Sequence, residues 1–371
     1  MIKTSTLSLV FLIFLGFCPI ASALTGGPDG YGYTFTDSTE PGGPSYEWID
    51  ISESGTAVLQ SGSSTVNGFG ISAPVELVSP FTFYGFTFRE AVPSANGYLS
   101  FTATEDGTDT TNDCGLIVFP SSGSPDRIYV LHDHLDLGTA LDDATIYYQH
   151  IVNGPHPHND CPVSIFQWED ITHDGSAVPF SFQLLLFANG DILMQYDNRN
   201  PEDGSGSTTG IQYFNGLEYS CDTANSIPSN HAILFTPPTI TVTTAVDENG
   251  VSPDTGVSLR EAIATAPDGA RITFSSALNG ATILLEELSD GAGGFDPREL
   301  LLNDPMTIDA SNLPDGITIS GQNQTTPFLV RAACHFDNLT ITDGFGDISV
   351  FTPNYGGGID IQYFPNETPS S

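Results

Sequence analysis

Three short segments, Met306-Thr307-Ile308-Asp309, Ile317-Thr318-Ile319-Ser320 and Leu339-Thr340-Ile341-Thr342, repeat one apolar-Thr-Ile-polar pattern. The first two begin 11 residues apart and the last two 22. A further step of 22 reaches Ile361, inside Gly358-Ile359-Asp360-Ile361, and a step of 22 back from Met306 reaches Leu284, inside Ile283-Leu284-Leu285. Such a period, with a strand of the same type at its half, predicts a coil whose turns each supply two or three short strands. Stacked turns bury a shared core, which is a parallel β-helix. A β-sandwich would also repeat Thr-Ile pairs, because β-branched residues favour strands. The segment ahead of the repeats favours the coil. Ser258 and Glu261 have the spacing of a capping box, and Leu259, Ala262, Ile263 and Ala266 form one apolar helical stripe. Pro267-Asp268-Gly269 stops that helix, so it reads as the cap of the first turn.

Val257-Ser258-Leu259-Arg260-Glu261-Ala262-Ile263 resembles the CSLREA motif that opens right-handed β-helix regions of large bacterial surface and secreted proteins. The approach Thr241 to Glu248, the Leu-Thr-Ile-Thr-Asp-Gly run at 339–344 and Gly356-Gly357-Gly358-Ile359 are similar too. The resemblance covers about the last third of the chain. Val257 stands where that family has cysteine, so a disulfide from that position is absent. The resemblance implies a pectin-lyase-like scaffold and no catalytic residues.

The first 23 residues have the layout of a secretory signal: Lys3, an apolar run from Leu7 to Phe17, and Ala21-Ser22-Ala23 as the cleavage site. The apolar run is too short to span a bilayer, and bulky Phe17 before Cys18 speaks against a lipoprotein. No second hydrophobic run follows, so the mature chain is expected to have no membrane span and to be secreted or held at the cell surface. Its 45 acidic residues against 8 basic ones give a net charge of −37. Nucleic acid and anionic lipid would be repelled. Calcium could be drawn to such a surface, but no Asp-rich loop has the spacing that arrays carboxylates around one ion. No cofactor is expected, and calcium is expected to bind weakly or not at all. Beyond the leader the chain carries Cys114, Cys161, Cys221 and Cys334. Three pairings are open to them, with Cys114–Cys161 preferred within the first domain.

Residues 24–237 read as an all-β domain. Pro80 to Phe88 alternates aromatic with small or polar residues, and strands are expected over Tyr98 to Phe101, Arg127 to Leu131, Ala144 to Gln149, Val163 to Trp168 and Ile233 to Phe235. Phe180 to Ala188 and Asp191 to Tyr196 flank Asn189-Gly190, a strong hairpin signal. Ser52 to Ser64, rich in Ser and Gly, reads as a loop. Short strands at this spacing predict a β-sandwich. The runs Pro80 to Gly85, Ser94 to Phe101, Gly190 to Tyr196 and Gly206 to Gln212 together resemble an uncharacterised sandwich module near the front of large exported bacterial proteins, including some proteases. Pro237-Pro238 closes it, and residues 238–371 form the cap and first turns of the coil.

The densest set of candidate ligands is His132-Asp133-His134-Leu135-Asp136. On one strand, alternation would put His132, His134 and Asp136 on one face and make a metal site, which His156, His158 and Asp160 could complete. Trp168-Glu169-Asp170 with His173 and Asp174 could be read as paired carboxylates for glycoside cleavage, but adjacent strand residues point to opposite faces. No Gly-x-Ser-x-Gly elbow supports a serine nucleophile. Asp309, Asp343 and Asp347, with Arg331, could belong to a polysaccharide groove. The reading is therefore a non-enzymatic exported surface protein with an adhesion, display or binding role, its partner an extracellular polysaccharide or cell-surface ligand. The alternative is a polysaccharide-active β-helix enzyme, a lyase or hydrolase, whose catalytic turns are expected to lie beyond this chain. A final turn without a cap is expected to fray and associate, as in the front of a longer protein or a truncated reading frame.

Overall fold

The Asn189-Gly190 turn lies at the centre of the fold. Gly190 takes the left-handed conformation, with φ 91°, that this turn needs and that costs glycine least. The strands on either side, Phe180–Phe187 and Ile192–Tyr196, pair antiparallel as their sequence predicts. The computed structural model describes residues 24–60, 70–102, 107, 109–112, 114–116, 126–138, 144–152, 154, 161–213, 215–250, 255–289, 292, 295–296, 298–345 and 357–362. The expected leader (1–23), His156, His158, Asp160, Asp347, Gly356 and the segment 365–371 lie outside the described residues.

Around this hairpin runs an antiparallel sheet in the order Thr25–Gly26, Thr34–Asp37, His231–Thr236, Ile192–Tyr196, Phe180–Phe187, Val163–His173, Thr145–Ile151, Thr56–Gln60. The two-residue strand Leu135–Asp136 joins the far end of Val163–His173. A second antiparallel sheet orders Asn215–Cys221, Thr208–Tyr213, Arg127–His132, Tyr98–Ser100, Phe86–Pro93 and Val75–Phe83. Their facing side chains make one core, with Phe83, Leu99 and Val130 from one sheet and Phe166, Leu184, Ile192 and Ile233 from the other. This region is sandwich-like. Two buried polar atoms tie it together: Trp168 Nε1 donates to the Ser94 carbonyl at 2.7 Å, and the Tyr196 hydroxyl donates to the Val130 carbonyl at 2.6 Å.

The first sheet is buried on its outer face as well. Val163, Ile165, Leu185, Phe187 and Leu193 pack beneath Ile51, with Tyr46 and Ile49 alongside. Gln167, Gln183 and Gln195 stand in register on adjacent strands. Each side-chain oxygen accepts a backbone N–H of the covering segment, from Ile51 (2.9 Å), Ile49 (3.4 Å) and Glu47 (2.7 Å) respectively. Gln195 and Gln183 also donate to the Glu47 and Ile49 carbonyls. The ladder supplies the extended segment with the partners that a buried backbone requires. Part of the expected Ser52–Ser64 loop is also a strand, Thr56–Gln60, because it pairs with Thr145–Ile151 at the sheet edge.

From Thr239 onward the pairing is parallel, apart from the short antiparallel pair of Leu288–Ser289 with Phe295–Asp296. Thr239–Val242, Ala270–Phe274, Met306–Asp309 and Cys334–Asp337 form one sheet; Thr282–Leu284, Ile317–Ser320 and Leu339–Thr342 a second; and Leu300–Leu302, Phe328–Val330 and Ile359–Ile361 a third. The chain visits the three sheets in rotation. Inward rows such as Ile272, Ile308 and Phe336 stack in register over a core shared with Leu302, Ile319 and Phe328. The spacing differs from a uniform 22. Ile317 pairs with Leu339, 22 residues on, but Ala270 pairs with Met306 at 36, Met306 with Cys334 at 28 and Phe328 with Ile359 at 31. Leu284 pairs with Ser320 and Ile361 with Val330, so neither falls where the counting put it. Loops of unequal length between the sheets absorb the difference. Asn338 turns one such corner with φ 51°, its side-chain amide donating to the Leu313 carbonyl at 2.7 Å.

The capping box is present. Ser258 Oγ accepts the Glu261 N–H, and Glu261 accepts the Ser258 N–H at 2.8 Å. The helix Leu259–Thr265 buries Leu259 and Ala262 against the top of the parallel stack. Among the described residues no helix is long and apolar enough to cross a membrane. The two regions meet at the hairpin tip. The Arg271 guanidinium contacts the buried Asp191 carboxylate, with Asp309 3.9 Å away, and Thr307 Oγ1 donates to the Asn189 carbonyl at 3.3 Å.

Candidate functional site

The structure does not bring His132, His134 and Asp136 together. Strand Arg127–His132 belongs to one sheet and Leu135–Asp136 to the other, so the chain crosses between layers at Asp133-His134 and the alternation of a single strand does not apply. His132 is buried, Nδ1 facing the Asn96 carbonyl at 2.8 Å and Nε2 the Thr111 carbonyl at 3.0 Å. Arg127, also buried, pairs with Asp109 at 2.5 Å and lies over the Tyr98 ring. Burial alone would raise the Asp109 carboxyl; His132 and Arg127 outweigh it and hold that carboxyl well below the usual carboxylate range. His134 is half-buried, 3.7 Å from Asp174, and Asp136 accepts the Gly138 N–H at 2.8 Å.

The crossing instead delivers the residue between the two histidines. Asp133 Oδ2 stands 3.1 Å from His173 Nδ1, and on the other side of the ring Glu202 Oε2 is 2.6 Å from Nε2. Three elements meet here: the crossing segment, the end of strand Val163–His173, and the turn Pro201 to Ser207. Leu135 pairs with His173 across the short strand, which fixes the register that sets Asp133 beside the imidazole. The Phe180 ring, 5.3 Å away, flanks it. Glu202 is buried and its Oε1 accepts the Gly206 N–H at 2.5 Å. Burial by itself would lower the His173 pKa; the two carboxylates reverse this and raise it to about 9. At neutral pH the cluster is thus an imidazolium between two carboxylates, and the same donors (one imidazole, two carboxylates) are also of the type that bind a divalent ion.

The remaining candidates are separately partnered. Glu169 accepts from Gln167 at 2.7 Å, while Asp170, at a bulge with φ 52°, lies 3.5 Å from Arg199. Asp309 accepts the Ser311 N–H and Asp343 the Ser320 hydroxyl, both at 2.9 Å. Arg331 reaches Asn303 and Gln362, each at 3.4 Å. The disulfide joins Cys114 to Cys221, leaving Cys161 buried and free and Cys334 half-buried and free. The preferred Cys114–Cys161 pairing is overturned because Asn112, Cys114 and Gly115 lie beside the end of strand Asn215–Cys221. Gly115 N–H donates to Glu218 at 2.6 Å there, and Asn112 donates to Asp222. Glu202 escaped sequence reasoning altogether. It sits in a turn-rich run, Pro-Glu-Asp-Gly-Ser-Gly, and no local spacing ties it to Asp133 or His173.

The family profile described as NIDO related matches residues 32–259, which takes in the whole of this cluster. The chain belongs to the NIDO-related family. The family match takes in both large antiparallel sheets except the strand Thr25–Gly26, and continues past Pro237-Pro238 to the first residue of the capping helix. The cluster of Asp133, His173 and Glu202 is therefore part of the NIDO-related region, and the parallel stack beyond Leu259 lies outside it. No curated protein and no solved structure matches the chain.

Proposed function

We propose that this chain is an exported, non-enzymatic surface module in which a NIDO-related β-sandwich carries the capped start of a right-handed parallel β-helix. Its role is adhesion or display, through binding an extracellular polysaccharide or another cell-surface ligand. The observation that carries this reading is the succession, within one chain, of a NIDO-related region and three short parallel sheets opened by the Ser258–Glu261 capping box. The resemblance of Ser258-Leu259-Arg260-Glu261-Ala262 to the CSLREA opening supports it, as does the net charge of −37, which keeps an exported protein soluble and away from anionic lipid and nucleic acid. The signal-like layout of residues 1–23 supplies the route out of the cytoplasm.

Expression in a bacterial host with residues 1–23 in place tests the location. The chain should be found outside the cytoplasm, processed near Ala23, and a chain retained whole in the cytosol would overturn the reading. A glycan array probed with the purified protein then tests the role. A second reading, a polysaccharide-active enzyme, draws on the groove along the third parallel sheet, where Arg331, Asp360, Glu299 and Gln324 line one cavity beside exposed Phe345. Release of reducing ends or unsaturated sugars from a polysaccharide panel would favour it over adhesion.

A further inference from the structure

We propose that His173 and Glu202 bind a divalent transition-metal ion of the zinc class, with Asp133 as the positioning residue that orients the imidazole. This inference is independent of the adhesion reading. Asp133 Oδ2, 3.1 Å from Nδ1, holds the proton on that nitrogen, so that an ion displacing the Nε2 proton of the imidazolium finds Nε2 as its donor, the outer-sphere arrangement of carboxylate, histidine and metal. Glu202 Oε2 lies 2.6 Å from Nε2, yet among the described residues this buried nitrogen makes no hydrogen bond of good geometry. An ion on the ring axis, about 2.0–2.1 Å from nitrogen and about 2.0–2.2 Å from oxygen, would replace this contact, the carboxylate oxygen moving out to about 3.3 Å from Nε2 as tetrahedral ligation requires.

Two further observations stand apart from the donor distances. Gly206 has no left-handed backbone to explain it, but a Cβ there would lie 3.1 Å from Glu202 Oε1 and 3.6 Å from Asp133 Oδ2. The missing side chain keeps the space between the two carboxylates open. In the same turn Asp203 Oδ1 and the hydroxyl of fully buried Ser207 have no hydrogen-bond partner among the described residues, and buried polar atoms of this kind call for a water or an ion. The chemistry selects the ion. Calcium takes oxygen ligands throughout, whereas imidazole with carboxylate suits zinc and its neighbours.

Calorimetric titration of the full chain with Zn2+ in chelator-free buffer tests the site. One ion per chain should bind. H173Q and E202Q should abolish binding, D133N should weaken it by about 10–100-fold as loss of an orienting carboxylate does, and H134A should leave it unchanged. Because E202Q could disturb the turn, the wild-type protein supplies a second readout: paramagnetic Co2+ should broaden the His173 ring and Gly206 amide resonances first. Absence of Zn2+ binding, binding unaffected by H173Q, or broadening centred elsewhere would overturn the proposal.

Discussion

The antiparallel and parallel regions bury their strands by opposite means. In the first, Phe180–Phe187 is buried at all eight positions and Ile192–Tyr196 at all five, because a second sheet covers one face and the glutamine-held segment 47–51 covers the other. In the second, strands of three to five residues are covered only by the turns above and below. Burial consequently falls along the stack: Ile272 and Ile308 are fully enclosed, Phe336 and Ile341 only partly, and Ile361 is 72% exposed. For the central hairpin of the sandwich burial is closed on both faces. In the stack it depends on the next turn.

Four experiments sharpen or break that contrast. The largest effect is expected at Trp168, buried, stacked on Phe182 and bonded to Ser94. Trp168→Ala should cost about 3–5 kcal/mol by chemical denaturation, and a cost below about 1 kcal/mol would show the sandwich core to be loosely packed. Within the stack, Ile308→Ala should cost about 2–5 kcal/mol, and Ile341→Ala less than half of that. Equal costs would abolish the gradient, as would equal hydrogen-exchange protection of Leu339–Thr342 and Phe180–Phe187. Third, Ser258→Ala removes the N-cap and should cost about 1 kcal/mol, read as a lower melting temperature of the stack with that of the sandwich unchanged.

The smallest effect is one of pH. Burial is the main cause that keeps His231 in the sandwich and His335 in the stack below the ordinary imidazole value of 6.5. Each is harder to protonate folded than unfolded. Its contribution is therefore fully present above pH 6.5 and is lost as the pH falls from there toward the folded value. Stability should fall on acidification below pH 6.5, where the oppositely shifted His173 already makes its full contribution, and His231→Gln should flatten that slope. A slope unchanged in that variant would remove His231 from the account.

What could be read from the sequence divides along the same line. Local signals were legible: the Asn189-Gly190 hairpin, the Ser258–Glu261 capping box, and strand identity for Met306–Asp309, Ile317–Ser320 and Leu339–Thr342. Each depends on residues within a few positions of one another. Register between turns was legible only once, at Ile317 and Leu339, because inserts of varied length between sheets leave the inward-facing pattern intact while destroying its period. The glutamine ladder could not be foreseen, since Gln167, Gln183 and Gln195 meet residues 47–51 only through the sheet. The candidate site was half visible. The cluster at 132–136 and the one at 169–174 were both singled out as chemistry-bearing, but a layer crossing at Asp133-His134 substituted Asp133 for its neighbours and joined it to His173.

The contact between Arg271 and Asp191 has a consequence for how such chains change over time. Both groups are nearly inaccessible to water, so removing either alone strands a charge, at a typical cost of about 3–5 kcal/mol. Replacing both by apolar residues of similar size would be far better tolerated. Neither residue can drift singly, although they lie in different regions of the fold and are 80 positions apart. Among descendants of one ancestor the pair should persist together or vanish together. That coupled inheritance would mark which relatives seat the parallel stack on the hairpin in this manner, even where the surrounding sequence has diverged.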